Sequence, residues 1–217
     1  MRYPVYSQSW KNGLGALVAL ALSATAALAQ NVTVNPGAGN YATLQAAFTA
    51  INNGTHTGTV TVAIVGNTTE TGNATLNASG TGAASYTSIS IQPSGGAART
   101  ISGSRSGAPL IDLVGADNVT IDGLNTGGNS LTIANVSTAS NNNTSTIRFD
   151  EGATNNTVTR CNIQGSATMA VDNAGGTIFF ANDGTTANGN DNNTISFCNI
   201  GRQCLWFPAR RLPLSAN

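Results

Sequence analysis

Two short motifs recur along this chain at nearly constant spacing. The second of them contains Val119, Val158 and Ile195, so its copies lie 39 and 37 residues apart. Such a period is typical of a solenoid, in which each repeat buries its apolar side only by stacking on the next. We therefore expect these three side chains to share one interior column. The copies are Leu110–Leu113, Thr146–Phe149 and Thr177–Phe180 for the first motif, and Asn118–Leu124, Thr157–Ile163 and Thr194–Ile200 for the second.

The segments between turns have the pattern of β-strands. β-branched and other apolar residues alternate with polar ones, and clusters of Gly, Asn, Ser and Pro separate the segments. No helical period lies between them, which argues against helical crossovers and favours strands that coil around one axis. The strand segments before the repeat are Asn31–Val34, Val60–Val65, Thr75–Asn77, Ser88–Ile91 and Arg99–Ile101.

One amphipathic helix is predicted near residues 41–52. Asn40 is a plausible N-cap, and Asn52-Asn53-Gly54 ends the helix with residues that tolerate positive φ. The helix should cover the open end of a β core. Its apolar face consists of Leu44, Ala47, Phe48 and Ile51.

Both ends of the chain depart from the repeat. Residues 1–29 resemble a secretory signal peptide, with an apolar run over Leu14–Leu22 and a cleavage signature at Ala27-Leu28-Ala29, although an uncleaved anchor is an alternative. Residues 30–201 form the predicted β-helix domain. The tail, residues 202–217, adds arginines, a Trp and a Pro. It fits either a capping element or, as we favour, a shifted reading frame or truncated gene, which would leave the last coil poorly covered.

The composition excludes several classes of partner. Only 8% of the residues are charged, against roughly 25% in ordinary globular domains. Lys11 is the only lysine, and from Gln30 onward seven arginines face nine acidic residues, a net charge of −2. Without a basic stripe, neither nucleic acid nor an anionic membrane surface is an expected partner. No membrane insertion is expected after signal cleavage, because no other stretch is apolar enough to cross a bilayer.

Cysteine and histidine give no sign of a cofactor or metal site. Cys161 and Cys198 hold equivalent places in successive repeats, and we favour a stack of small buried side chains over a disulfide. Cys204 lies outside the repeat. His56, the single histidine, lies in a Thr/Gly-rich turn and is interpreted as a solvated loop residue.

Asparagine recurs beside the predicted strands. Stacked equivalent Asn side chains can hydrogen-bond along a parallel array, and Asn also accepts left-handed turn conformations. Both roles explain the abundance of Asn without a ligand. The residues concerned are Asn118, Asn156, Asn162, Asn193 and Asn199.

Two segments resemble the right-handed parallel β-helix proteins of the pectate-lyase-like superfamily. Pro36–Ala47 is similar to the opening of pectin-esterase-type β-helices, and Ala116–Leu124 is similar to the superfamily's repeat. The resemblance covers about residues 31–201 and is greatest to the β-helix regions of large secreted or cell-surface bacterial proteins. It implies an all-β, right-handed parallel β-helix solenoid with a short N-terminal capping α-helix. It says less about activity, because one fold hosts many functions.

Esterase chemistry is not supported by the motifs that the resemblance implies. The expected Gly-x-Tyr-x-Glu motif corresponds to Gly66–Glu70, which has Thr in place of Tyr. The catalytic Asp-Phe-x-Phe-Gly strand has no match, since the nearest similar segment, Phe179–Gly184, places its acid after the strand.

The remaining acids form no repeated stripe. Asp112, Asp122 and Asp150 could in principle bind calcium on one face, but the repeat places Arg148 and Phe179 opposite Asp112. Turn placement is the favoured interpretation of these acids. A lyase base is also hard to supply, although Arg148 or Arg160 could serve. The sequence therefore predicts no catalytic, cofactor-binding or metal-binding residues.

The predicted function is a non-enzymatic secreted or cell-surface β-helix scaffold, an adhesive or glycan-contacting segment of a larger protein. Rows of Asn and Thr could offer hydrogen bonds to a neutral polysaccharide or cell-surface glycan. The alternative is the N-terminal part of a polysaccharide-degrading enzyme of the pectin lyase, hydrolase or esterase type. The sequence does not specify the oligomeric state.

Overall fold

The computed structural model describes residues 29–139, 141–166, 175–181 and 189–202. Within these residues, the chain forms fifteen short strands and one helix, α1, at Leu44–Asn52. The strands are β1 Gln30–Val34, β2 Gly58–Ile64, β3 Thr68–Thr69, β4 Ala74–Asn77, β5 Tyr86–Pro93, β6 Ala98–Gly103, β7 Pro109–Val114, β8 Val119–Asp122, β9 Ser130–Asn135, β10 Ser145–Asp150, β11 Thr157–Thr159, β12 Cys161–Gly165, β13 Gly176–Phe180, β14 Thr194–Ser196 and β15 Asn199–Arg202.

The strands form three parallel sheets, which we name A, B and C. Sheet A has the order β1-β2-β5-β8-β11-β14, sheet B the order β15-β12-β9-β6-β3, and sheet C the order β13-β10-β7-β4. The chain visits A, B and C in turn, so the described residues contain four complete coils followed by β14 and β15. The predicted parallel β-solenoid is confirmed. Its predicted right hand is the one that parallel crossover connections adopt in about 98% of cases.

The core consists of side chains that stack in columns along the solenoid. Alternate residues of each strand point inward, and pairing in register places equivalent residues above one another. Nearly all are fully buried, except near the last coil. The columns are Val32, Val62, Ile91, Ile121, Val158 and Ile195 in sheet A, Thr68, Ile101, Ile133, Ile163 and Ile200 in sheet B, and Leu76, Leu113, Phe149 and Phe180 in sheet C.

The repeat predicted from sequence is displaced by two residues in one coil. Val158 pairs with Ile121 and Ile195, whereas Val119 pairs with Ile89. The single column predicted for residues 119, 158 and 195 is therefore confirmed for Val158 and Ile195 and wrong for Val119, which lies in sheet A but in a different column. The loop between β8 and β9 is also longer than its counterparts in the next two coils, so Leu131 rather than Asp122 lies beside Cys161. The true coil length is 37 residues from Ile121 to Val158 and again to Ile195.

The helix begins later than predicted. Its N-cap is Thr43, whose side chain accepts a hydrogen bond from the Ala46 N–H, and not Asn40. Asn40 instead accepts hydrogen bonds from the backbone and side chain of Thr33. The predicted end of the helix is confirmed, since α1 ends at Asn52 and Gly54 adopts a positive φ of 73°. The predicted apolar face of the helix is fully buried, in contact with β4 and β1.

A ladder of asparagines joins successive turns between sheets C and A. Asn193 Oδ1 accepts from Asn156 N–H at 3.0 Å, and Asn156 Oδ1 accepts from Val119 N–H at 2.8 Å. Their amide groups donate to the carbonyls of Ala153 and Ala116, both at 2.8 Å. The predicted stacking role of Asn is thus confirmed for Asn156 and Asn193.

The other asparagines take different positions. Asn162 and Asn199 are neighbours in register on the outside of sheet B. Asn118 holds a left-handed turn conformation with a φ of 59°, as expected for Asn in such turns.

Parts of the sequence interpretation concern residues outside the described ranges. The predicted signal peptide lies there except for Ala29, and so does the tail after Arg202, which includes Cys204. Within the described ranges, no helix has the length and hydropathy needed to span a bilayer.

Candidate functional site

The outer face of sheet A carries a continuous row of hydroxyl groups. The polar residues alternate with the buried column, so they point away from the core. Each strand of the sheet contributes one residue, and neighbouring strands lie about 4.8 Å apart. We call these residues the hydroxyl row, although the first member is an amide: Asn31, Thr61, Ser90, Thr120, Thr157 and Thr194.

The hydroxyl row has unused hydrogen-bonding capacity. Within the part of the chain that the structure describes, the five hydroxyls make no side-chain hydrogen bond, and all are partly or fully exposed. The adjacent outer row differs, because Ser196 donates to Thr159 Oγ1 at 3.0 Å and Arg160 pairs with Asp122. Each free hydroxyl offers one donor and two acceptor positions. The row can therefore bind a neutral polar ligand without first breaking internal contacts.

A second polar row lies on the outer face of sheet B. Its members are neighbours in register and form the amide row: Thr100, Thr132, Asn162 and Asn199. Among the described contacts, the one side-chain bond within this row runs from Asn162 Nδ2 to Thr132 Oγ1 at 3.4 Å. The row is shorter than the hydroxyl row but adds amides, which both donate and accept.

Glu70 stabilises the helix rather than serving as a catalytic acid. It is 2% exposed, and its two carboxylate oxygens accept from the N–H groups of Leu44 at 3.0 Å and Gln45 at 2.8 Å. These are among the first helical N–H groups, which lack partners within the helix. The positive end of the helix also favours a negative charge there. Glu70, the glutamate of the esterase-like segment Gly66–Glu70, thus binds the first turn of α1 to the solenoid.

Asp112 and Asp150 both pair with one arginine on the outside of sheet C. Arg148 Nε and Nη2 each donate to Asp112 at 2.8 Å, and Nη1 lies 3.4 Å from Asp150. The hydrogen bonds that Arg148 donates to Asp112 raise the pKa of Arg148. Asp112 lies in the middle of β7, so the predicted turn placement is wrong for this residue. The alignment that placed Arg148 opposite Asp112 is confirmed.

Two of the other described acids, Asp122 and Asp117, are engaged in a turn, an ion pair and hydrogen bonds. Asp122 accepts from Leu124 N–H at 2.8 Å and from Arg160 Nε at 2.9 Å, and this ion pair raises the pKa of Arg160. Asp117 accepts from both the N–H and the hydroxyl of Thr154, each at 2.7 Å. Among the described residues, no group of His, Cys, Asp and Glu is arranged to hold a metal ion.

The two cysteines within the described ranges, Cys161 and Cys198, hold equivalent positions and form no disulfide. Both thiols donate to backbone carbonyls, Cys161 to Thr159 at 3.2 Å and Cys198 to Ser196 at 3.3 Å. Burial, and secondarily the neighbouring Cys198, raises the pKa of Cys161 to about 12. A thiol held protonated in this way is a poor nucleophile. The favoured interpretation as stacked small side chains is confirmed.

His56 belongs to a hydrogen-bonded chain instead of being a solvated loop residue. Its ring lies 2.8 Å from the hydroxyl of Tyr41 through Nε2 and 3.1 Å from Gln30 Oε1 through Nδ1. Tyr41 also contacts the imidazole edge-on, with the ring centres 5.7 Å apart. These bonds tie the first strand to the turn after α1, a structural role that sequence spacing did not reveal.

Comparisons with protein-family models, curated proteins and solved structures found no match to this chain. The site must therefore be interpreted from its own geometry. The sequence predicted rows of Asn and Thr and pointed to Asn162 and Asn199 among the recurring asparagines, but to no member of the hydroxyl row. The sequence pattern that indicates the hydroxyl row is the polar residue beside each inward-pointing β-branched residue of sheet A. Only the register between strands, which depends on loop lengths, shows which of these residues align.

Proposed function

We propose that this chain is a segment of a non-enzymatic secreted or cell-surface scaffold whose hydroxyl row contacts a neutral polysaccharide. The single observation that carries the proposal is the row itself, with five aligned hydroxyls that form no bond within the described part of the chain. Its members carry no charge, so an uncharged polyhydroxylated ligand is the best chemical complement. The signal-peptide-like start and the resemblance to bacterial surface β-helices support an exported location.

The energetics favour a long, repetitive ligand over a single sugar. One hydrogen bond contributes about 0.5–1.5 kcal/mol net. Association costs about 4–15 kcal/mol in lost translational and rotational freedom. Several coils must therefore bind the same chain before binding becomes measurable. A polymer that runs along the solenoid axis can meet this condition, because the row repeats once per coil.

The described acids support a non-enzymatic role over the alternative of a polysaccharide-degrading enzyme. Acid–base hydrolysis of glycosides needs two carboxylates facing the same bond, one of them protonated. Here Glu70 caps a helix, and Asp112, Asp150 and Asp122 are paired with arginines. No described pair of acids faces a common open groove.

Binding to insoluble neutral polysaccharides, measured by pull-down and by glycan array, tests the proposal. Thr120→Val with Thr157→Val removes two central hydroxyls while conserving side-chain shape. The matched control is Thr69→Val with Thr75→Val, outside both polar rows, where the side chains also make no described bond. We expect the first double variant to weaken binding by about tenfold or more and the control to retain it. No binding by the unmodified chain to any neutral glycan, or equal loss in both variants, would refute the proposal.

A further inference from the structure

A row of exposed asparagines lies beside the hydroxyl row. Each member stands two positions before a threonine of the hydroxyl row. All of them are exposed and adopt left-handed backbone conformations, with φ of 59°, 57° and 56°. We call these residues the asparagine row: Asn118, Asn155 and Asn192.

Backbone hydrogen bonds hold the asparagine row in register from coil to coil. Asn118 N–H donates to the Thr154 carbonyl at 3.4 Å, and Asn155 N–H donates to the Asp191 carbonyl at 3.2 Å. Each acceptor immediately precedes the next asparagine of the row. The row therefore repeats once per coil and runs alongside the hydroxyl row past β8, β11 and β14.

The amides of this row are largely free to bind a ligand. Among the described contacts, the side chains of Asn118 and Asn192 form no hydrogen bond, and Asn155 forms one, from Nδ2 to Thr154 Oγ1 at 3.2 Å. Backbone conformation alone does not require asparagine here, because glycine adopts positive φ at less cost, as Gly115 does at 61°. Each amide therefore adds a donor and an acceptor to the surface beside the hydroxyl row.

The opposite flank of the hydroxyl row offers less. There Asp122 pairs with Arg160, and Ser196 donates to Thr159. These side chains already use their hydrogen-bonding groups on each other. The free polar surface thus extends from the hydroxyl row toward the asparagine row, and it is two residues wide.

We propose that the hydroxyl row and the asparagine row form one site for an extended, ribbon-shaped neutral glycan with the chain shape of cellulose. This inference rests on the polysaccharide binding proposed above and specifies the shape of the ligand. The two rows repeat about every 4.8 Å along the solenoid axis, which is close to the length of one sugar ring. A ribbon carries hydroxyls on both edges and stays straight, so successive sugars meet successive coils.

A coiled or charged glycan fits this site less well. A coiled chain such as amylose curves away from a straight row after a few sugars, and too few hydrogen bonds then remain to offset the cost of association. Neither row contains an arginine or a lysine, so an anionic glycan finds no cation in the site. Shape and charge together select the neutral ribbon.

Pull-down of the full chain by two insoluble polymers of glucose tests the proposal. Cellulose and starch granules are both uncharged and differ chiefly in linkage and chain shape. We expect at least about tenfold tighter binding to cellulose. Asn118→Gly with Asn155→Gly removes two amides, and glycine keeps the left-handed conformation without strain. This double variant should weaken cellulose binding about tenfold.

The matched control is Asn125→Gly with Asn143→Gly. These asparagines are also exposed and have positive φ, 49° and 66°, but they lie in the loops before β9 and β10. The control should bind cellulose as the unmodified chain does. Circular dichroism verifies that both double variants keep their β structure.

Three results would overturn the proposal. Equal binding to cellulose and starch, or equal affinity for cellulose in the two asparagine double variants, would do so while leaving neutral-glycan binding by the hydroxyl row intact. Failure to bind cellulose or a β-linked mannan of the same ribbon shape would also do so. If no neutral glycan on the array binds either, the proposed function fails together with this inference.

Discussion

Asn156 is the residue whose removal tests the stacking of coils most sharply. It is 1% exposed, and it connects its own coil to the previous one by two side-chain bonds of 2.8 Å, from Val119 N–H and to Ala116 C=O. Asn156→Ala leaves both backbone groups buried without a partner. Each such group costs about 1–3 kcal/mol. We therefore expect the free energy of unfolding to fall by about 2–5 kcal/mol, a large part of the 5–15 kcal/mol typical of a domain.

Urea denaturation measures this loss, and hydrogen exchange at the Val119 amide shows whether it is local. Asn156→Asp should give an intermediate loss, because a carboxylate still accepts from Val119 N–H but cannot donate to Ala116. Asn162→Ala is the control, since Asn162 points outward and makes one long side-chain bond of 3.4 Å. It should change the free energy of unfolding by less than about 0.5 kcal/mol. Equal losses for the alanine variants at 156 and 162 would refute the reasoning.

Four further results follow from the contacts described above. Glu70→Ala should destabilise the chain by about 2–4 kcal/mol in urea, because two helical N–H groups lose their acceptors, whereas Glu70→Gln should cost less. Arg148→Leu should cost about 3 kcal/mol by leaving the Asp112 carboxylate buried and unpaired, and adding Asp112→Leu should restore most of that loss. Thr68→Val should stabilise the chain by about 1 kcal/mol, since the Thr68 hydroxyl is buried without a partner among the described residues. The free energy of unfolding should fall as pH rises above about 8.5, because the unfolded chain releases the Cys161 proton there while the folded chain holds it to about pH 12; Cys161→Ala should flatten this decline in pH-dependent denaturation.

The solenoid was predictable from the sequence because the residue pattern that produces it repeats along the chain. A period of nearly 37 residues, with apolar residues alternating on short strands, leaves few folds other than stacked coils. The register was not fully predictable. Val119 and Ile121 are both β-branched and both point inward, so a shift of two residues preserves the alternation of faces. Only the pairing of Val158 with Ile121 fixes the register in sheet A, and only the pairing of Cys161 with Leu131 shows that the loop between β8 and β9 is longer than its counterparts.

The roles of individual polar residues were harder to predict than the fold. Glu70 caps a helix that begins 26 residues earlier in the chain, and His56 bonds a glutamine 26 residues away. Such contacts form between residues that are distant in the sequence and that only the folded coils bring together. No local sequence pattern therefore predicts them. By contrast, the repeat itself placed Arg148 opposite Asp112, and the ion pair between them follows from that neighbourhood.

The distance between Ile121 and Val158 is the most direct test of the stacked register. In an NMR experiment on methyl-labelled protein, the account predicts strong contacts from the Val158 methyls to those of both Ile121 and Ile195, which occupy adjacent strands about 4.8 Å apart. The Val119 methyls should contact Ile89 instead. Strong contacts between Val119 and Val158 together with none between Ile121 and Val158 would contradict the register on which the columns and the hydroxyl row depend.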